Sequence, residues 1–131
     1  MTFSYKDITP QIKRPIIPLI LKSSTMVILY SGLIDSGADY CIFSIEIARK
    51  LGVVLSRNNK IQFVGVGKDM VQGSFGEVEI KIDEELYKTK VIFAEISDFG
   101  HGILGQKGFF DRFDVRLQYH KQRIVLESVI N

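Results

Sequence analysis

Apolar and polar residues alternate most cleanly between positions 78 and 83. There Val78, Ile80 and Ile82 interleave with Glu79, Lys81 and Asp83. A two-residue period turns one face of a strand to a core and the other to water. Upstream, "PIIPLIL" is β-branched and leucine-rich, and its prolines at 15 and 18 suit an edge strand or a strand start. "SSTMVILYSGLI" reads as a turn into a second strand that runs up to Asp35. "IQFVGVGKDMVQGSFGEVEIKI" predicts a hairpin followed by a strand, punctuated by Gly65, Gly67, Gly73 and Gly76, and "KTKVIFAEI" predicts another strand after the turn at "DEELY". "DVRLQY" and "RIVLESV" close the chain as two strands across a polar turn from His120 to Arg123.

Helical periods are few. Ser44 is suited to cap "SIEIARKLG", with Ile45, Ala48 and Leu51 on one face and Gly52 as the stop. "QKGFFDRF" is a second short amphipathic candidate. Short strands with one or two small helices predict an all-β fold, a small closed or nearly closed β barrel. No repeat or low-complexity segment interrupts it. Residues 1–14 are polar and are expected to form an N-terminal arm ahead of a domain spanning 15–131.

Composition narrows the function. A chain of 131 residues with 46% hydrophobic and 24% charged residues is long enough for one ordinary globular core. A formal charge of +2 gives no argument for nucleic acid. Lys107, Arg112, Arg116, Lys121 and Arg123 do gather near the end, but Asp111 and Asp114 lie among them, as on a solvated face. Cys41 is the single cysteine, which excludes an intrachain disulfide and fits a reducing compartment. The first residues lack the apolar core of a signal peptide, and no uncharged run reaches the ~20 residues of a bilayer span. A cytoplasmic protein with no membrane partner is the expectation. His101 and His120 are too few and too far apart to suggest a zinc site, and "GVGK" lacks the spacing of a phosphate-binding loop. No metal or cofactor is expected.

The chemistry concentrates in "GLIDSGADYCIF". An apolar approach, Leu33-Ile34, ends in Asp35-Ser36-Gly37. By itself the triplet is a tight turn made of turn-forming residues. A carboxylate placed where the pattern says "inside", however, needs something to share its burial.

The order of segments widens the reading. Asp35-Ser36-Gly37-Ala38 is followed by a second acid, Asp39, then by a glycine-rich hairpin, then by Ile103-Leu104-Gly105 ahead of "QKGFFDRF", and Arg14-Pro15 opens the first strand. In this order, from about Arg14 to Phe113, the chain resembles the retropepsins, the single-domain aspartic proteases of retroviruses and their cellular and bacterial relatives. "LIDSGADY" and "ILGQKGFFDRF" most resemble the bacterial members.

The resemblance implies an aspartic endopeptidase acting on a peptide or protein substrate, with Asp35 catalytic. Two carboxylates about 3 Å apart cannot both ionise, so the pair presents a base and an acid together. No second Asp-Ser/Thr-Gly occurs in the chain, so the other aspartate is expected from an identical chain across a two-fold axis. By the same resemblance, Ser36 braces the two loops across that axis, and Gly37 lets substrate backbone approach. Asp39 binds substrate backbone and takes a bond from an arginine, for which Arg14 is the candidate. Gly65-Val66-Gly67 forms the tip of a flap. Ile103, Leu104 and Gly105 support the loop. Gln106 stands where retroviral members have an arginine, Lys68 and Asp69 make the flap more polar, and the tail beyond Phe113 is longer. A non-catalytic dimeric module of the same fold, binding an extended peptide by strand addition, is the alternative.

Overall fold

The computed structural model describes residues 1–55, 60–64, 70–96 and 100–129. Seven strands make the main sheet: β4 (Ile16–Lys22), β5 (Val27–Ile34), β6 (Ile42–Ser44), β7 (Lys60–Val64), β8 (Met70–Ile82), β9 (Glu85–Ala94) and β10 (Gly102–Leu104). Their order is β4-β5-β10-β6-β9-β8-β7, and β8 also pairs with β4. The expected all-β barrel is therefore a ring of hydrogen-bonded strands, with β7 attached outside it. Three strands precede it: β1 (Thr2–Ser4), β2 (Lys6–Asp7) and β3 (Lys13–Arg14). Two follow it, β11 (Phe113–Gln118) and β12 (Arg123–Ser128), joined by a 3₁₀ turn at Tyr119–Lys121. β1, β12 and β11 form a second, three-stranded sheet, while β2 and β3 form a small ribbon. Within the first fourteen residues, β1 is thus tied to the end of the chain, with Phe3 opposite Ile124.

Local chemistry accounts for each element. Pro15 directly precedes β4, and Pro18 occupies the part of the strand that has one neighbour. Pro18 faces Ser31 of β5, whereas β8 reaches only Ile20 to Lys22. An imino nitrogen there costs no ladder bond. In β8 the alternation is as expected, with Val78, Ile80 and Ile82 buried. The second arm of the predicted hairpin and the strand expected after it are one element here: β8 pairs with β7 from Met70 to Ser74 and with β9 from Gly73 to Ile82. The helix α1 (Ile45–Leu51) is capped by the Ser44 side chain, which accepts from the Glu46 amide at 3.3 Å, and Gly52 ends it in the left-handed conformation. Its Ile47, Ala48 and Leu51 are buried.

The second predicted helix does not form. Residues 106–112 are a series of turns in which Phe110 and Asp111 bond back to Gly105 and Gln106. Gly108 adopts φ +103°, which no helix admits, and its amide donates to Asp111 Oδ1 at 3.1 Å. The apolar spacing of the segment serves burial instead, since Phe109 and Phe113 stack in the core at 5.4 Å.

Ile17, Leu21, Phe43, Val91, Phe93 and Leu104 fill the ring, and Ile124 and Leu126 of β12 continue its core under the small sheet. A smaller apolar cluster lies between the strand after Asp35 and the β7–β8 hairpin. It is centred on Ile42, Ile92 and Ala94, with Tyr40, Ile61, Val71, Phe75, Ile96 and Ile103 around them. Among the described residues no helix is long and apolar enough to cross a membrane.

The fully buried Leu126 joins the small sheet to the ring. Leu126→Ala should lower stability by about 2–5 kcal/mol through lost transfer energy and the cavity left behind. Val54→Ala, at a position 88% exposed, should stay within about 0.5 kcal/mol of wild type. Urea unfolding of both variants measures the contrast.

Candidate active site

Asp35 stands where β5 ends beside β10. The two strands run parallel, with Gly32, Leu33 and Ile34 opposite Gly102, Ile103 and Leu104. The pairing extends one step further, because the Asp35 amide donates to the Leu104 carbonyl at 3.0 Å. Ile34 is buried and its amide donates to the Pro15 carbonyl at 2.9 Å. Two apolar strand ends therefore hold the Asp35 backbone from both sides.

The loop turns outward immediately afterwards. Gly37 donates its amide to Asp35 Oδ1 at 2.9 Å, and Ala38 donates to the Asp35 carbonyl at 3.2 Å. This is the Asx-type turn expected of the triplet. Asp35 is half-buried, Ser36 and Gly37 are exposed, and Ala38 is half-buried. The apolar approach is internal, but within a single chain the carboxylate itself emerges at the surface.

Gln106 and Lys107 clamp the far side of the loop. The Gln106 side-chain amide donates to the Ser36 carbonyl at 2.9 Å, and its backbone amide donates to the Ala38 carbonyl at 2.8 Å. Lys107 donates its amide to the Asp39 carbonyl at 2.9 Å and accepts from the Cys41 amide at 3.3 Å. Gly105 makes this proximity possible. A Cβ there would run into the Tyr40 carbonyl oxygen and lie 2.6 Å from that of Ala38. Ile103, Leu104 and Gly105 are thus brought to the Asp35 loop, with Leu104 filling the space beside Gly32.

Other expected residues fall elsewhere. Asp39 is exposed, and Arg14 lies in β3 opposite Lys6, with no ion pair between the two acid and base side chains. The Arg14–Asp39 contact is therefore not made within the chain. Gly65, Val66 and Gly67, together with Lys68 and Asp69, lie outside the described residues, although the strands that lead to them pair as a hairpin from Lys60↔Ser74 to Val64↔Met70.

Two contacts had no signal in the sequence. Tyr40 packs edge-on against Phe75 of β8 with ring centroids 5.0 Å apart, linking the Asp35 loop to β8. The Lys107 ammonium sits over the same Tyr40 ring at 5.0 Å. Gln106 was readable only as a departure, since a glutamine carries no motif of its own. Cys41 is fully buried, and burial pushes its thiol up to about 12. It is a neutral core group at physiological pH and no nucleophile. His101 is half-buried and His120 is exposed.

A family model described as aspartyl protease matches residues 29–107, more than half of the chain, and the protein belongs to that family. Its fold is retropepsin-like. A retropepsin-like aspartic protease from Rickettsia conorii aligns over 96% of this chain and 88% of its own, at 16% identity and a TM-score of 0.59. The EIAV protease, solved with the inhibitor HBY-793, aligns over 75% and 86% at 22% identity and a TM-score of 0.55. The retroviral protease-like domain of Ddi1 from Leishmania major aligns over 91% and 92% at 14% identity and a TM-score of 0.61. No curated protein sequence matches this chain.

The close approach at Gly105 has a measurable consequence. Gly105→Ala should destabilise the fold by about 1–3 kcal/mol or more, because the colliding atoms are backbone and cannot rotate away. Gly37→Ala, whose new Cβ would meet only Asp35 Oδ1 at 3.2 Å, should fold with a melting temperature near that of wild type. Thermal melts of the two variants test the difference.

Proposed function

We propose that the protein is an aspartic endopeptidase whose active unit is a homodimer, with Asp35 of each subunit forming the catalytic pair. One observation carries the reading. The Asp35-Ser36-Gly37 loop is anchored from behind by Leu104, Gln106 and Lys107, yet it presents its carboxylate half-exposed at the surface, a rigid half-site. Membership of the aspartyl protease family supports proteolysis as the chemistry.

In this reading a water lies between the two carboxylates. The ionised one takes a proton from the water as its oxygen bonds to the scissile carbonyl carbon. The protonated one donates to the carbonyl oxygen, so that a tetrahedral diol forms without free charge. Collapse breaks the carbon–nitrogen bond: the nitrogen takes the proton from the carboxyl that received it from water, a diol hydroxyl gives its proton to the now ionised carboxylate, and the pair again shares one proton. Ser36 would brace the two loops across the axis. Gly37 and Ala38 would line the backbone track of the peptide, with Asp39 accepting from its amides. Gly65, Val66 and Gly67 would close over the peptide and exclude water. Arg14 would reach a carboxylate of the assembled dimer, given its exposure in the single chain.

Asp35→Asn keeps the shape of the side chain and removes the base. Cleavage of a peptide library should fall at least about a thousandfold, in the range expected when an essential acid–base group is lost, with the fold and assembly retained. Residual cleavage within tenfold of wild type would assign the chemistry to another group. Peptide binding with no cleavage by the wild type would favour the non-catalytic module.

Because one chain holds half of the pair, specific activity should decline on dilution through the dimer dissociation constant. Initial rates over a concentration series, read beside sedimentation of the same samples, give the two curves. They should share one midpoint.

A further inference from the structure

We infer that Lys107 selects peptides that carry an acidic side chain close to the scissile bond, with its ammonium as the contact and the Tyr40 ring as its platform. The inference rests on the endopeptidase reading above and names the substrate class of that site. The strand registers lay out the surface on which such a peptide would rest. Phe75 of β8, Ile92 of β9, Ile42 of β6, Ile103 of β10 and Leu33 of β5 lie opposite one another in succession, one apolar row across five strands. Residues two apart along a strand share a face of the sheet. Leu33 therefore lies on the same face as Asp35, whose amide continues the β5–β10 pairing. Ile42 likewise shares its face with Tyr40, which bridges in parallel to Lys107. One face thus carries the carboxylate, an apolar strip and, packed against Phe75 at the end of that strip, an aromatic ring under a cation.

The cation is held but not neutralised. Lys107 is exposed, and its ammonium lies 5.0 Å from the Tyr40 ring centroid and 3.4 Å from the Tyr40 hydroxyl. A ring and a hydroxyl attract an ammonium without cancelling its charge. No acid pairs with Lys107 among the described residues. A second cation, Lys90, sits over the Phe75 ring at 5.4 Å, but it stands opposite Glu77 in the β8–β9 ladder and so already faces a carboxylate. Lys107 is the better-placed of the two.

Its backbone is fixed as well. The Lys107 amide donates to the Asp39 carbonyl at 2.9 Å, so the side chain starts from the frame that holds the Asp35 loop. An ammonium has three donors, and the Tyr40 hydroxyl takes one. A carboxylate carried in by the peptide would meet the others as a charge-assisted contact. Because alternate side chains of an extended peptide face the same way, an apolar residue on the strip would place the acid two positions further along. Asp39, exposed in the same loop, works against acidic peptides in general. The selection is therefore for one placed carboxylate, not for negative charge at large.

The test takes a library peptide that the wild type cleaves and compares Glu with Gln at each position in turn on either side of the scissile bond. The wild type should favour Glu by about threefold to tenfold in kcat/KM at one position, and high salt should reduce that preference. Lys107→Met keeps an apolar stem over the ring and removes the charge, so the Glu-to-Gln ratio should fall to about one. Lys107→Arg should retain the preference, and Lys107→Glu should replace it by a preference for Lys over Gln at the same position. Each ratio is taken within one variant, so any general loss of activity or stability cancels. If Lys107→Glu folds poorly by circular dichroism, the Met and Arg variants carry the comparison. No preference at any position in the wild type, or a Glu preference that survives in Lys107→Met, would overturn the role of Lys107 and leave the endopeptidase reading intact. A wild type that cleaves no member of the library would overturn both.

Discussion

The structure depends on two strand ends lying side by side. β5 and β10 run parallel, each finishing in an apolar pair, and the carbonyl of Leu104 accepts the amide of Asp35 just where β5 stops. That bond converts a turn sequence into a positioned carboxylate. The polypeptide can leave the core at once because Ile34 and Leu104 fill it up to the last residue. Without the β10 end, Asp35 would stand on an unsupported loop, and its neighbours Ser36 to Asp39 would have no framework to bond to.

The turns after Gly105 repeat the same logic from the other side. Their amides and one glutamine side chain reach the carbonyls of Ser36, Ala38 and Asp39. Most of these bonds involve backbone and do not depend on side-chain identity. A neutral glutamine replaces the arginine of the retroviral pattern and holds the loop within its own chain.

Much of this was legible in the sequence, for local reasons. The Ser44 cap, the Gly52 stop and the 78–82 alternation are near-neighbour effects and survive folding unchanged. Asp35-Ser36-Gly37 could be singled out because few uses exist for a carboxylate after a buried apolar run. What escaped was set at long range. The glycines at 73 and 76 read as breaks, but β8 runs straight through them, paired with β7 and β9 at Gly73 and with β9 at Gly76. The apolar spacing of "QKGFFDRF" is real, yet Gly108 and the bonds to the Asp35 loop impose turns, so two phenylalanines are buried without a helix. Arg14 matched a pattern whose partner its own chain does not bring near, and Tyr40 met Phe75 across thirty-five residues that no periodicity connects.

The length of β8 has a further consequence. Its first residues, Met70 to Gln72, are flanked by β7 alone, whereas from Gly73 onward β9 joins as well, and Glu79 to Lys81 are flanked by β9 and β4. A two-stranded ribbon is marginal in water, while a strand held on both sides inside a core is not. Amide protons along this one element should therefore exchange with solvent in a steep gradient, slowest near Ile80 and fastest before Gly73. The strand becomes a stiff rod clamped at one end, and Gly73 marks where bending can begin without disturbing the ring.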